Sequence, residues 1–173
     1  MDFENQPTLK GDLLELRPLL AEDFDALYTV AKDPLIWALH PVKNRHEKTQ
    51  FELFFADALT SSALVVIDTS DGKVIGSSRF HGYDKGDDVV EIGWSFLARS
   101  HWGGSYNAQM KQLMLQHAFK FVERVVLLVG VENARSKRAV EKIGGVYVGI
   151  RLDAGGNDSL IFEICRDNKT NKK

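Results

Sequence analysis

The stretch "EIGWSFLARSHWGGSYNAQMKQLMLQHAF", Glu91 to Phe119, joins an alternating apolar segment to a patterned helix through two glycines and a serine. No acidic residue stands between Ala98 and Phe119. Amides at a helix N-terminus lack internal partners and carry partial positive charge, so such a turn suits an anion. Glycine helps because a Cβ would hold a phosphate away from the backbone. The same residues also make a plain chain reversal. The loop is no P-loop, since no Gly-Lys-Ser/Thr closes it, and the full G-x-G-x-x-G pattern is missing.

On either side of the turn the periodicity is readable. A strand over Val89 to Leu97 is predicted to set Val90, Ile92, Trp94 and Phe96 on one face and Glu91, Gly93 and Ser95 on the other, a small polar face with room for a ligand. The helix carries Met110, Leu113, Met114, His117, Ala118 and Phe121 along an apolar stripe, with Lys111, Gln112 and Lys120 off it. His117 on that stripe reads as a core residue with one satisfied nitrogen.

Toward the C-terminus, "RVVLLVGV" (Arg124 to Val131) is a continuous run expected to form a strand covered on both faces. Asn133 then caps a helix through "ARSKRAVEKI", and Gly144-Gly145 stops it. "VYVGIRL" and "DSLIFEIC" read as strands around the turn "DAGGND", before a tail, about 168–173, expected to be disordered. Toward the N-terminus, a strand near Leu13 to Arg17 ends at Pro18. A helix from Ala21 spaces Phe24, Leu27, Tyr28 and Ala31 on one face and breaks at Asp33-Pro34. A second helix follows in "EKTQFELFFADAL", and "ALVVID" and "KVIGSSRF" form a hairpin over Asp71-Gly72.

With 173 residues, 44% of them hydrophobic, the chain can bury one good core and is too short for two, so one domain over 1–173 is expected. A net charge of -2 and a pI near 6.2 give no general attraction for nucleic acid or an anionic membrane. Cys165 is the sole cysteine, which excludes an intrachain disulfide or a cysteine metal cluster. The start "MDFENQ" lacks a signal-peptide pattern and no apolar run could cross a bilayer, so a soluble cytoplasmic protein is expected. His40, His46, His81 and His101 lack metal-type spacing, and no metal is predicted.

The opening stretch, followed by "VENARSKRAVEKIGG", resembles the signature half of the GCN5-related N-acetyltransferase (GNAT) family. With "LKGDLLELRPLLAEDFDALY", "DPLIW" and "HP", the chain is most similar to the ribosomal-protein-acetylating (Rim-like) branch. That resemblance implies an α/β (mixed α+β) fold, the acyl-CoA N-acyltransferase fold. Its mixed, mostly antiparallel sheet has helices on both faces and a splayed parallel strand pair, here the strands ending at Leu97 and Val131. It implies acetyl-CoA as co-substrate in the splay. Pyrophosphate would rest on the turn Trp102, Gly103, Gly104, Ser105, Tyr106 and Asn107, and pantetheine would run beside Phe96 and Leu97. Asn133 and Ser136 would stand beside the thioester sulfur. The usual loop is Gln/Arg-x-x-Gly-x-Gly/Ala, whereas Ser100 and Ser105 hold its first and last positions here, and Arg99 comes one residue early. The family's acidic tyrosine position is Val140.

Acetyl transfer to an amine needs a proton acceptor, a stabilised oxyanion and a proton for the leaving thiolate. Glu91 is the candidate base and Ser136 the candidate acid in place of the absent tyrosine. Glu91 could equally be a solvated strand residue, and Asn133 and Ser136 an ordinary helix start. Arg135, Lys137 and Arg138 could meet the adenosine phosphate or form a solvated face. Trp37, His40 and Pro41 fall where the family shapes its acceptor pocket, and they read equally as a hydrophobic plug. Cys165 has no base nearby in sequence, which favours direct transfer. The expected partner is an amine acceptor, a protein N-terminus or a small molecule, handled by a monomer or homodimer. A non-catalytic acyl-CoA binding module is the alternative.

Overall fold

The computed structural model describes residues 2–153 and 155–166, so the expected tail lies outside the described residues. Eight strands form one sheet: β1 (Leu9–Lys10), β2 (Leu14–Pro18), β3 (Leu64–Asp68), β4 (Val74–Asp84), β5 (Val89–Leu97), β6 (Arg124–Gly130), β7 (Val146–Leu152) and β8 (Asp158–Cys165). Their order is β1-β2-β3-β4-β5-β6-β8-β7, and among the described residues only β5 and β6 pair in parallel. Four helices accompany them: α1 (Phe24–Ala31), α2 (Lys48–Thr60), α3 (Tyr106–Ala118) and α4 (Ala134–Lys142).

Local chemistry accounts for most boundaries. Asp68 and Gly72, with φ of 72°, close the β3–β4 hairpin through the Gly72 amide and Asp68 carbonyl. Asn133 caps α4 through its side-chain oxygen, and Gly144 at φ 100° ends it. The helices lie on both faces. On one, Met110, Met114 and Ala118 of α3 and Val140 of α4 pack with Leu14, Leu64, Val90, Ile92, Val125 and Leu127. On the other, Leu27 of α1 and Phe51, Phe54 and Phe55 of α2 pack with Leu19, Val65 and Phe96.

Two features of β5 position the site. Its parallel pairing with β6 spans only Val89, Val90 and Glu91, opposite Arg124, Val125 and Val126. Beyond Glu91 the strands continue to Leu97 and Gly130 without pairing, and the sheet opens between them. The second feature is a bulge: pairing with β4 slips between Ser77–Phe96 and Arg79–Gly93, and Trp94 has φ of 52°.

An extra residue reverses the alternation after it. Val90 and Ile92 therefore face α3, while Trp94 and Phe96 face α1 and α2. The single face expected for these four residues is thus corrected to two. Ser95 parts from Glu91 in the same way and turns to Lys111 of α3.

Two further expectations are corrected. Lys111, expected off the apolar stripe, is buried with its Nζ donating to Ser95 Oγ, because the bulge delivers a hydroxyl to that face. On β6, Val125, Leu127 and Val129 are buried but Val126 and Leu128 only half-buried, since α1 and α2 cover the far end of the sheet. His117 meets its expectation, buried with Nε2 donating to the Glu4 carbonyl at 2.8 Å.

Candidate active site

The glycine turn is built to leave amides free. α3 starts at Tyr106 with no acidic residue in its first turn and no side-chain cap from Ser105. Gly103 has φ of 71°, a conformation that other residues adopt only with strain, and a Cβ added at Gly103 or Gly104 would meet nothing within 4 Å. Open space thus faces Gly103 and Gly104 just ahead of the N-terminus of a 13-residue helix, a cradle that fits a pyrophosphate.

The side chains around the turn are occupied in holding it. His101 Nε2 lies 2.8 Å from Asp68 Oδ2, Tyr106 Oη donates to the same oxygen at 3.2 Å, and Ser100 Oγ meets His101 Nδ1 at 2.8 Å. Hydrogen bonds from His101 and Ser70 hold the Asp68 carboxyl well below the usual carboxylate range. Trp102 donates its indole N–H to the Leu97 carbonyl at 2.9 Å, and the Arg135 guanidinium stacks 3.6 Å from its ring centroid. That stack joins the turn before α3 to the start of α4, across the opening between β5 and β6. Arg99 pairs with Asp33 at 2.5 Å, so the early arginine of the loop has a carboxylate partner on the α1 side.

At the α4 end, Asn133 is buried and its Oδ1 accepts from the Ser136 amide at 3.2 Å. The Ser136 hydroxyl makes no hydrogen bond among the described residues. Phe96 and Leu97 are both buried, and the Phe96 ring lies 5.0 Å from that of Trp37. Trp37 is the plug that one reading foresaw, buried with its indole N–H on the Ala31 carbonyl at 2.8 Å. Pro41 rests on the end of β6, where a Cβ on Gly130 would come 2.9 Å from its Cγ.

Glu91 occupies the fork itself, at the last parallel pair before the strands separate. Its side chain is only 11% exposed, and Arg151 of β7 reaches it at 3.0 Å. Burial pushes the Glu91 carboxyl up, while Arg151 and His81 pull it back in part. A carboxyl so held is a stronger proton acceptor than a free surface glutamate.

Two basic residues near this face, Arg79 and Arg45, went unmarked in the sequence. Arg79 stands opposite Gly93 as His81 stands opposite Glu91, so Arg79 shares the face of Glu91, fully buried and paired with Asp57 at 2.8 Å. The alternation Arg79-Phe80-His81 is the signal that could have marked it. Arg45 lies over the rings of Phe54 and Trp37 at 4.6 and 5.2 Å. Lys111, on the opposite face, is brought down to about 7 by burial alone. His40 is brought down to about 4 by burial and by Arg45, and its Nδ1 accepts from the Val42 amide at 2.9 Å, which leaves the proton on Nε2. Among the described residues no three of His, Cys, Asp or Glu converge as a metal site, and no helix is long and apolar enough to cross a membrane.

The family description "Acetyltransferase (GNAT) domain" matches residues 14–146. The chain belongs to the GNAT family. No curated protein sequence matches this GNAT domain, but solved structures do. A GCN5-related N-acetyltransferase from Brucella melitensis superposes with a TM-score of 0.83 at 22% identity, over 95% of this chain and 80% of that one. Mycobacterium smegmatis RimJ, in complex with CoA-disulfide, reaches 0.68 at 19% identity, over 95% and 88%. Vibrio cholerae spermidine N-acetyltransferase, in complex with CoA and spermine, reaches 0.71 at 18% identity, over 93% and 100%. The shared architecture is the mixed sheet with its one parallel pair, and the chain is an acyltransferase of this fold.

Proposed function

We propose that this GNAT domain moves acetyl from acetyl-CoA directly to a primary amine, with Glu91 as the base. The observation that carries the reading is the place of Glu91, partly buried at the fork where β5 and β6 part. Gly103, Gly104, Ser105, Tyr106 and Asn107 would hold the pyrophosphate through their amides, with Trp102 shaping the turn. Phe96 and Leu97 would flank the pantetheine, and Asn133 and Ser136 the sulfur. The co-substrate supplies the acetyl thioester. Glu91 takes the proton that the attacking amine must lose, directly or through water, and the Ser136 hydroxyl hydrogen-bonds the departing thiolate. That group needs little more, since a thiol of ordinary acidity has a pKa of about 8.5.

A protein N-terminus is the acceptor favoured by the Rim-like resemblance and by the likeness to RimJ. A small amine is the second reading, supported by the likeness to a spermidine N-acetyltransferase. Val140, where the family's tyrosine would stand, supports a third, an acyl-CoA binding module without turnover. The proposal takes residues 1–173 as one catalytic domain working in the cytoplasm, as a monomer or homodimer.

Calorimetric titration with acetyl-CoA, and with desulfo-CoA as an unreactive comparison, tests the reading. Micromolar binding of both, followed by acetylation in a screen of peptide N-termini and amines, is the expected result. Absence of binding at millimolar ligand would sink it, and binding without turnover on any acceptor would leave the binding module.

A further inference from the structure

Beside the fork, the side chains collect positive charge that the acetyl transfer does not use. A cleft of about 260 Å3 opens between the α1–α2 loop, α2 and the β5 bulge, with Val42, Arg45, Phe54, Asp57 and Trp94 in its walls. Behind it lies Arg79, whose guanidinium sits 4.6 Å from the Trp94 ring centroid and 5.6 Å from that of Phe54. Its Nη1 is paired with Asp57, but its Nε and Nη2 are buried with no hydrogen-bond partner. A buried guanidinium with two orphaned donors is costly, and its charge is met by Asp57 at one nitrogen alone.

Arg45 adds a second guanidinium, in the wall of the cleft. It lies over Phe54 and Trp37, and among the described residues it has no hydrogen bond or ion pair. Four charged groups act on this cleft: Arg45, Arg79, Asp57 and Asp153. Asp57 is engaged by Arg79. Asp153 is engaged by its own turn, accepting from the amides of Gly155 and Asn157 at 2.9 and 2.8 Å. Burial and Arg79 together lower the hold of Arg45 on its proton, to about 10, so it stays charged at neutral pH.

We propose that the acceptor amine also carries a carboxylate, which Arg45 binds in this cleft while Arg79 sustains the positive potential behind it. Aromatic walls suit the purpose, because they exclude water from the ion pair while attracting the guanidinium. Trp94 of the cleft wall stands three residues from Glu91 on the same strand. An acceptor that sets its amine at Glu91 and its carboxylate in the cleft would be an amino-dicarboxylate or an acidic residue near a peptide start. A polyamine would meet repulsion there.

The inference rests on the acetyltransferase reading, and the test separates the two. Wild-type protein is given acetyl-CoA and matched acceptors: glutamate α-amide against glutamine α-amide, a tripeptide amide with Glu at its second position against the same peptide with Gln, and spermidine. A preference of about tenfold or more in kcat/KM for the carboxylate member of a pair is expected. Which pair shows it identifies a free amine or a peptide end. In Arg45→Gln that ratio falls toward one, through KM rather than kcat, with thermal melting as the check on folding. Equal use of carboxylate and amide acceptors by wild type, or spermidine as the best acceptor, overturns the inference while leaving the acetyltransferase reading intact. Lack of acetyl-CoA binding overturns both. Should Arg45→Gln fail to fold, the wild-type ratios decide alone.

Discussion

The two ends of the opening between β5 and β6 are built from different materials. At the α3 end the surface proposed to hold the co-substrate is backbone: Gly103, Gly104 and the first amides of a helix whose N-terminus no side chain caps. At the α2 end it is side chain, with Arg45, Arg79, Asp57, Trp94 and Glu91 brought from α2, β4, β5 and the loop before α2. A backbone cradle suits a ligand part that never varies, since amides offer one charge pattern. A cleft of side chains can be retuned by substitution, which suits the part that sets specificity.

That contrast is open to test. Glu91→Gln should have the largest effect, lowering kcat by about a hundredfold or more while leaving acetyl-CoA binding near wild type. The base works ionised, and burial holds the Glu91 pKa above its ordinary value of 4.5, so wild-type rates fall as pH drops through that raised value. Glu91→Gln should lose this acid limb. An unchanged kcat in Glu91→Gln would remove Glu91 from the chemistry and break the division between the two ends.

Gly103→Val should come next, weakening acetyl-CoA by about tenfold to a hundredfold through left-handed strain and blocked approach of phosphate. Titration calorimetry measures it, and wild-type affinity would return the turn to a mere chain reversal. Under the bulge, Lys111→Met tests the burial of a lone amine. An exposed lysine titrates near 10.5 and Lys111 near 7, so between these pH values the unfolded chain binds the extra proton. Stability should therefore rise with pH across that window, by about 1.4 kcal/mol per unit at most. Lys111→Met should flatten the rise and be the more stable protein at pH 7, as read by denaturant melts. A matching slope in both proteins would mean the amine is hydrated.

Ser136→Ala should lower kcat only severalfold, because the thiolate leaves readily without full protonation. Arg151→Gln should act least, moving the acid limb to higher pH because it removes a charge that pulls the Glu91 carboxyl down. An unmoved acid limb would show that the ion pair is already broken when substrate is bound.

The places of Glu91 on β5 and of the glycine turn before α3 were legible because each depends on few neighbours: an alternating strand, a pair of glycines and a helix start. The pair Asn133 and Ser136 was legible for the same reason, as a cap. Trp94 and Ser95 were misplaced because a bulge needs no special residue, and nothing about Trp94 announces φ of 52°. Lys111 was misplaced in consequence, its burial depending on the hydroxyl that the bulge turns inward. Arg79 went unmarked for another reason. Its partner Asp57 is 22 residues away and its aromatic neighbours lie on α2 and β5.

By itself, then, the sequence determined the order of strands and helices, the free amides before α3 and the cap of α4, since these follow from torsional preference and short-range hydrogen bonding. Only the tertiary structure decided that the sheet opens after Glu91, which side of it each β5 residue faces, and that two arginines share one cleft. Those depend on register between strands and on charges meeting across long loops, and no local pattern of residues encodes either.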